Sequence, residues 1–172
     1  MRVRSFDDTD CRDAHDRWDN LTKADRRRLL ASGGVLATRD TYHRNATCEG
    51  LHRALAKLLA GDPNAPRPAL VALGDDWGGG TTPDADAFTP SDTTLNNKVG
   101  EITLSDPAGV GTRWAAQELV GSLELVDETI REWGVILSNG ALANHGPVNP
   151  AINRSDKENT LLDLAIPFTN SD

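Results

Sequence analysis

The sequence predicts an α+β protein: N-terminal helices over residues 1–61, then an antiparallel β-sandwich-like domain over 62–172. Three observations carry this. Apolar residues recur at helical spacing up to Gly61 and alternate in strand fashion after it. The segment Asp62-Pro-Asn-Ala-Pro-Arg-Pro68 separates the two patterns, and each proline blocks helix continuation. Ser138-Asn139-Gly140, flanked by Val135, Leu137 and Leu142 at strand-like spacing, is a hairpin signal.

In order, a short helix is expected around Asp10–Trp18. A second opens on Thr22-x-x-Asp25, which resembles a capping box, runs through Arg26-Arg27-Arg28-Leu29-Leu30 and stops at Gly33-Gly34. A third spans about Asn45–Ala60, capped by Asn45 or Thr47, with one apolar stripe of Cys48, Leu51, Leu55, Leu58 and Leu59. Strands follow at Ala69–Leu73 and Val99–Leu104, separated by a Gly- and Asp-rich loop over 75–94 of a kind that is usually functional or mobile. One or two strands lie in Arg113–Val126, broken near Gly121. Then come the hairpin at 131–145, a Pro/Asn-rich link at 146–153 and a last strand at Thr160–Thr169, where Pro167 points to a sheet edge.

Composition narrows the function classes. Hydrophobic residues make up 38% and aromatics 5%, so Leu, Val, Ile and Ala build the core, with four tryptophans as its large units. No window approaches the roughly 20 apolar residues of a membrane span, and the N-terminus has no apolar signal region. Of 26 acids 19 are Asp, and of 18 bases 14 are Arg, with a net charge of −8. Such a surface fits a protein working in concentrated salt, or simply a GC-rich genome. It argues against nucleic-acid binding, which needs clustered bases. Arg26–Arg28 is the one basic run and reads as a solvated helix face.

Little chemistry assembles. Cys11 and Cys48 form no CxxC pair and have no His at zinc spacing. His15, His43, His52 and His145 are dispersed, with no GxSxG or HExxH. Asp16 and Asp19 beside His15 read as local helix pairing, His52 as a surface residue and His145-Gly146-Pro147 as a turn. Gly78-Gly79-Gly80 lacks the Lys-Ser/Thr of a phosphate loop. Asp75, Asp76, Asp84, Asp86 and Asp92 supply oxygens in one loop but match no EF-hand spacing, so no metal and no cofactor is expected. Asn45-Ala-Thr47 and Asn153-Arg-Ser155 fit glycosylation acceptors, a frequent chance match. The ligand-binding candidates are Trp77, with Asp75 and Asp76, in the Gly-rich loop; Trp114 and Trp133 read as core. The structural candidates are Glu132, placed to accept backbone N–H bonds from a neighbouring loop, and Gly134, where another backbone approaches closely.

The order Ala46-x-x-x-Gly50-Leu51, Leu70-Val71-Ala72-Leu73-Gly74, a Thr-Thr-Pro loop, Ser91-Asp92-Thr93-Thr94-Leu95, Val99-Gly100-Glu101, Ile130-x-Glu132-x-Gly134 and Leu142-Ala143, with a terminal strand to Thr169, resembles tail proteins of tailed viruses, including those of halophilic archaea. The resemblance covers about residues 44–169, and Trp133 and Val135 depart from its Val and Leu. It implies a virion structural protein of the tail tip, baseplate or fibre, made in the host cytoplasm, acting in assembly or host attachment. Its partners would be other tail proteins, further copies in threefold or sixfold symmetry, and a host-surface glycan or protein. The alternatives are a carbohydrate- or receptor-binding module, and a small hydrolase for which no acid–base set is visible.

Overall fold

The computed structural model describes residues 2–7, 22, 24, 35–40, 46–105, 108–110, 113–121, 124–155 and 158–167. Ten strands are described: β1 (Arg2–Asp7), β2 (Val35–Asp40), β3 (Ala46–Thr47), β4 (Pro68–Gly74), β5 (Lys98–Thr103), β6 (Ala108–Val110), β7 (Arg113–Val120), β8 (Thr129–Leu137), β9 (Leu142–Asn153) and β10 (Glu158–Pro167). Helix α1 (Glu49–Leu59) lies between β3 and β4. The strands form two antiparallel sheets, ordered β2-β1-β10-β7-β6 and β3-β9-β8-β4-β5.

Each sheet belongs to its own compact unit. The first unit gathers Met1–Tyr42, Ser105–Asp127 and Arg154–Asp172; the second gathers His43–Leu104 and Glu128–Asn153. In the first, Trp114, Ala116, Val120, Leu161, Leu162, Leu164 and Ile166 are buried. Arg154, also buried, donates to the carbonyls of Gly121 (2.6 Å) and Glu124 (3.2 Å) and to the Thr160 hydroxyl, tying down the turn after β7. The second unit buries Val71, Ala72, Leu73, Trp133, Val135, Leu137, Leu142, Ala143 and Val148.

This architecture corrects the expected fold class. Strands β1, β2 and β3 occupy the stretch read as helical, and the later strands divide between two sheets instead of forming one sandwich-like domain. The reason is non-local: β1 pairs with β10, Arg2 opposite Asp163, so the partner that makes residues 2–7 a strand lies at the far end of the chain. Local periodicity cannot report such a pairing. The helices read at 10–18 and 22–32 fall almost wholly outside the described residues.

Two proline readings change for a related reason. The 146–153 link is the second half of β9, and it pairs with β8 through Glu132↔Pro147 and then, after a bulge, Ile130↔Ile152. On its other side, the described pairing of β9 with β3 is Ala46↔His145 and Thr47↔Asn144, on the N-terminal side of both prolines. Likewise β10 is central, not an edge; its pairing with β1 is described only as far as Asp163, and Pro167 pairs with β7 alone, opposite Arg113.

The expected apolar stripe of α1 is buried only in part. Leu51 and Ala54 are buried, whereas Leu58 and Leu59 are 57% and 87% exposed. Cys48 caps the helix in an extended conformation without a side-chain bond, in place of Asn45 or Thr47. The first N–H groups are satisfied by other backbone instead: Cys48 donates to the Ala143 carbonyl and Glu49 to that of Pro90, both at 2.9 Å.

Candidate functional site: a histidine between two carboxylates

Glu132 lies in the middle of β8, flanked by Pro147 of β9 and Gly74 of β4, and its side chain is wholly buried. Gly74 makes the room: a Cβ there would sit 2.3 Å from Glu132 Oε1 and 2.6 Å from the Asn97 carbonyl. The carboxylate accepts N–H bonds from Asn96 (to Oε2, 3.0 Å) and Asn97 (to Oε1, 2.7 Å), which fixes the chain just before β5. At Gly134 a Cβ would meet the Asn144 carbonyl and Leu142 Cδ1 at 2.7 Å each.

His145 stands in β9 opposite Gly134, on the diagonal from Glu132, where side chains of paired strands share one face. Its ring is 0% exposed. Nε2 lies 2.6 Å from Glu132 Oε2 and Nδ1 2.5 Å from Asp92 Oδ2. Asp92 is presented by a tight turn: it accepts from the Thr89 hydroxyl (2.6 Å) and the Thr89 N–H (2.9 Å). Phe88 meets the imidazole edge-on, centroids 4.8 Å apart.

The electrostatics follow from these contacts. Burial disfavours the charged imidazole, but the hydrogen bonds and charges of Glu132 and Asp92 outweigh it and hold the His145 pKa above its ordinary 6.5. Burial likewise works against the Asp92 carboxylate, yet the Thr89 bonds and His145 bring its pKa below the ordinary 3.8. Burial, and then the charge of Asp92, push the Cys48 thiol up to about 12. Cys48 in the native protein is therefore expected to resist alkylation by iodoacetamide near pH 8, and to react as fast as a model thiol once unfolded. Peptide mass spectrometry of labelled protein checks this, and native-state labelling at the unfolded rate would refute it.

Both imidazole nitrogens are engaged, so His145 offers no lone pair to a substrate or a metal. Among the described residues no group of three or more His, Cys, Asp or Glu is arranged to hold a metal ion. Beside the network a cleft of about 350 Å³ is lined by Glu49, Arg53, Lys57, Ser91 and Asn139, and Asp92 shares its wall.

The residues expected to bind a ligand have internal partners. Trp77 is 8% exposed; its Nε1 donates to the Val148 carbonyl (3.1 Å), and the Arg131 guanidinium lies 5.7 Å from the ring centre. Asp75 accepts from Asn97 Nδ2 (2.6 Å) through its side chain and from Arg131 (2.8 Å) through its carbonyl. Asp76 accepts the N–H groups of Gly78 and Gly79 at 2.8 and 2.6 Å, closing its own turn. Asp75 and Glu132 thus meet at Asn97, while Asp76 stands apart. Asp84 closes another local turn on the N–H of Asp86 (3.0 Å).

His145 and Asp92 were not singled out as a pair by the sequence. A signal for the histidine existed. Pairing β8 with β9 across Ser138-Asn139-Gly140 puts His145 on the Glu132 face, whereas the Gly-Pro that follows favours reading a turn. Asp92 had no such signal, since one of many loop aspartates reaches the site only through the folded path of 75–97.

Among the described residues no helix is long and apolar enough to cross a membrane. Comparisons with protein-family models, with curated proteins and with solved structures found no match to this chain.

Proposed function

We propose that this chain is a non-catalytic structural protein of a tailed-virus tail tip, baseplate or fibre, working as a symmetric oligomer among other tail proteins. The observation that supports it is where the resembling segments go. Gly50, Leu73-Gly74, Asp92, Leu95, Glu132, Gly134 and Leu142-Ala143 all enter the second unit and interlock around Glu132. These residues therefore build one folding unit with Glu132 and His145 enclosed at its centre, while the terminal strand of the order, β10, belongs to the first unit. A turnover site would need an accessible acid or base, and His145 is neither. The Asp- and Arg-rich composition favours a host living in concentrated salt. Among the described residues, the cleft over α1 offers a host-surface ligand open polar groups, whereas the Trp77 ring is packed.

Mass spectrometry of purified particles from the cell that encodes the chain tests this reading. The expected result is the intact chain in the tail fraction, at a copy number divisible by three. Its absence from particles would remove the proposal, as would a turnover abolished by His145→Ala in a protein that remains folded.

A further inference from the structure

We infer that His145 is the bolt of a pH-operated latch, which pins the Phe88–Asn97 segment to the β8–β9 hairpin when the ring carries two protons and frees the Asp92 end when it carries one. With both carboxylates ionised, the geometry calls for the extra proton on the ring. Asp92 and Glu132 are both acceptors when ionised, and each stands within 2.6 Å of a ring nitrogen. Only a doubly protonated ring donates to both; a neutral ring must turn a lone pair towards one carboxylate.

Which end lets go is decided by burial. Glu132 is fully enclosed and stays in place through Asn96 and Asn97, so it keeps the remaining ring N–H. The Asp92 side chain is 20% exposed and already borders the cleft, so it can turn to water at little cost. The Thr89–Asp92 turn is closed by its own hydrogen bonds and would move as a piece. Its movement would reach α1, whose Glu49 N–H is held by the Pro90 carbonyl.

The other charged groups around the ring do not replace this control. On β8, Arg131 is committed to the Asp75 carbonyl. At the start of α1, Cys48 is a neutral thiol; further along, Glu49 and Arg53 pair with each other at 2.7 Å, and Lys57 lines the cleft beyond them. On β5, Lys98 and Glu101 pair at the surface. β3 and β4 present Ala46, Thr47 and Gly74, which carry no charge.

The signs then give a window. The raised value of His145 means its contribution is complete below its ordinary 6.5 and is lost as pH rises through the folded value. The lowered value of Asp92 means its contribution is present above the ordinary 3.8 and is lost as pH falls through the folded value. The latch is therefore shut in weak acid and opens on the alkaline side. It is a property of the second unit and does not depend on the assignment to a virus particle.

Nitrogen-15 NMR of the full chain, titrated from about pH 5 to about pH 10, tests it. Both ring nitrogens of His145 should read as protonated at the acid end of the titration, and the ring should lose its second proton above its ordinary 6.5. The backbone N–H of Thr89 should shift with the same midpoint as the ring, and those of Asn96 and Asn97 far less. Asp92→Asn should lower that midpoint by about one pH unit, a tenfold rise in the neutral fraction, and abolish the linked Thr89 shift. A ring already neutral near pH 6, a ring still charged near pH 10, or a Thr89 signal indifferent to the ring would each overturn the latch. An Asp92→Asn protein with dispersed spectra and an unchanged midpoint would do the same.

Discussion

Glu132→Ala is expected to remove about 3–5 kcal/mol of folding stability, the cost of breaking a buried ion pair by deleting one partner. The change leaves three donors facing a void: the N–H groups of Asn96 and Asn97 and the Nε2 of His145. The His145 donor is fully enclosed and cannot reach bulk water, whereas Asn96 and Asn97 lie at the exposed end of the site and lose less. A domain commonly holds only about 5–15 kcal/mol in total, so the second unit should come close to unfolding at room temperature. Glu132→Gln is a milder test. It keeps the volume and one acceptor oxygen but aims an amide donor at a second donor, so a cost of about 2 kcal/mol is expected. Urea unfolding followed by tryptophan fluorescence measures both, since Trp77 and Trp133 belong to the same unit. A Glu132→Ala protein within about 1 kcal/mol of the parent would show that the carboxylate is not the centre of the unit.

How much of this could be read in the chain divides by the range of the interactions. The hairpin is local and was legible: Ser138-Asn139-Gly140 turns, Gly140 takes a φ of +83°, and strands end at Leu137 and restart at Leu142. Strands 68–74 and 98–103 were legible too, within one or two residues, because β-branched and aliphatic runs between turn-forming residues leave few alternatives. The N-terminal strands were not, because their partner β10 lies some 150 residues away and nothing local marks residues 35–40 as sheet. The two-unit division was hidden for the same reason, as the chain enters each unit more than once. At the candidate site, Glu132 and Gly134 stood out through their spacing in the hairpin, and His145 was obscured by the Gly-Pro after it. Asp92 was one of 19 aspartates, and only the fold distinguishes it.

Gly50→Ala sets two effects of known sign against each other. Alanine is favoured over glycine inside a helix by about 1 kcal/mol, so propensity alone predicts stabilisation. Sterics predict the reverse. A Cβ at position 50 would lie 2.2 Å from the Leu142 carbonyl oxygen and 3.1 Å from its carbon, with Ala141 Cβ at 3.2 Å. These are mostly backbone atoms and cannot rotate aside. Leu142 is held by its pairing with Ile136, and its side chain packs with Cys48, Ala72 and Leu95. The helix cannot back away either without breaking the bonds from Cys48 to Ala143 and from Glu49 to Pro90 that hold its first turn. Overpacking of this kind costs about 3 kcal/mol where neither side can yield, so sterics should win and the net loss should be about 2 kcal/mol or more. Gly61→Ala makes the control: nothing lies within 4 Å, and only its φ of +77° opposes a side chain, at about 1 kcal/mol. Thermal unfolding of the two variants should therefore rank Gly50→Ala clearly below Gly61→Ala. A Gly50→Ala protein as stable as the parent would mean that α1 does not lie against β9 as closely as this packing requires.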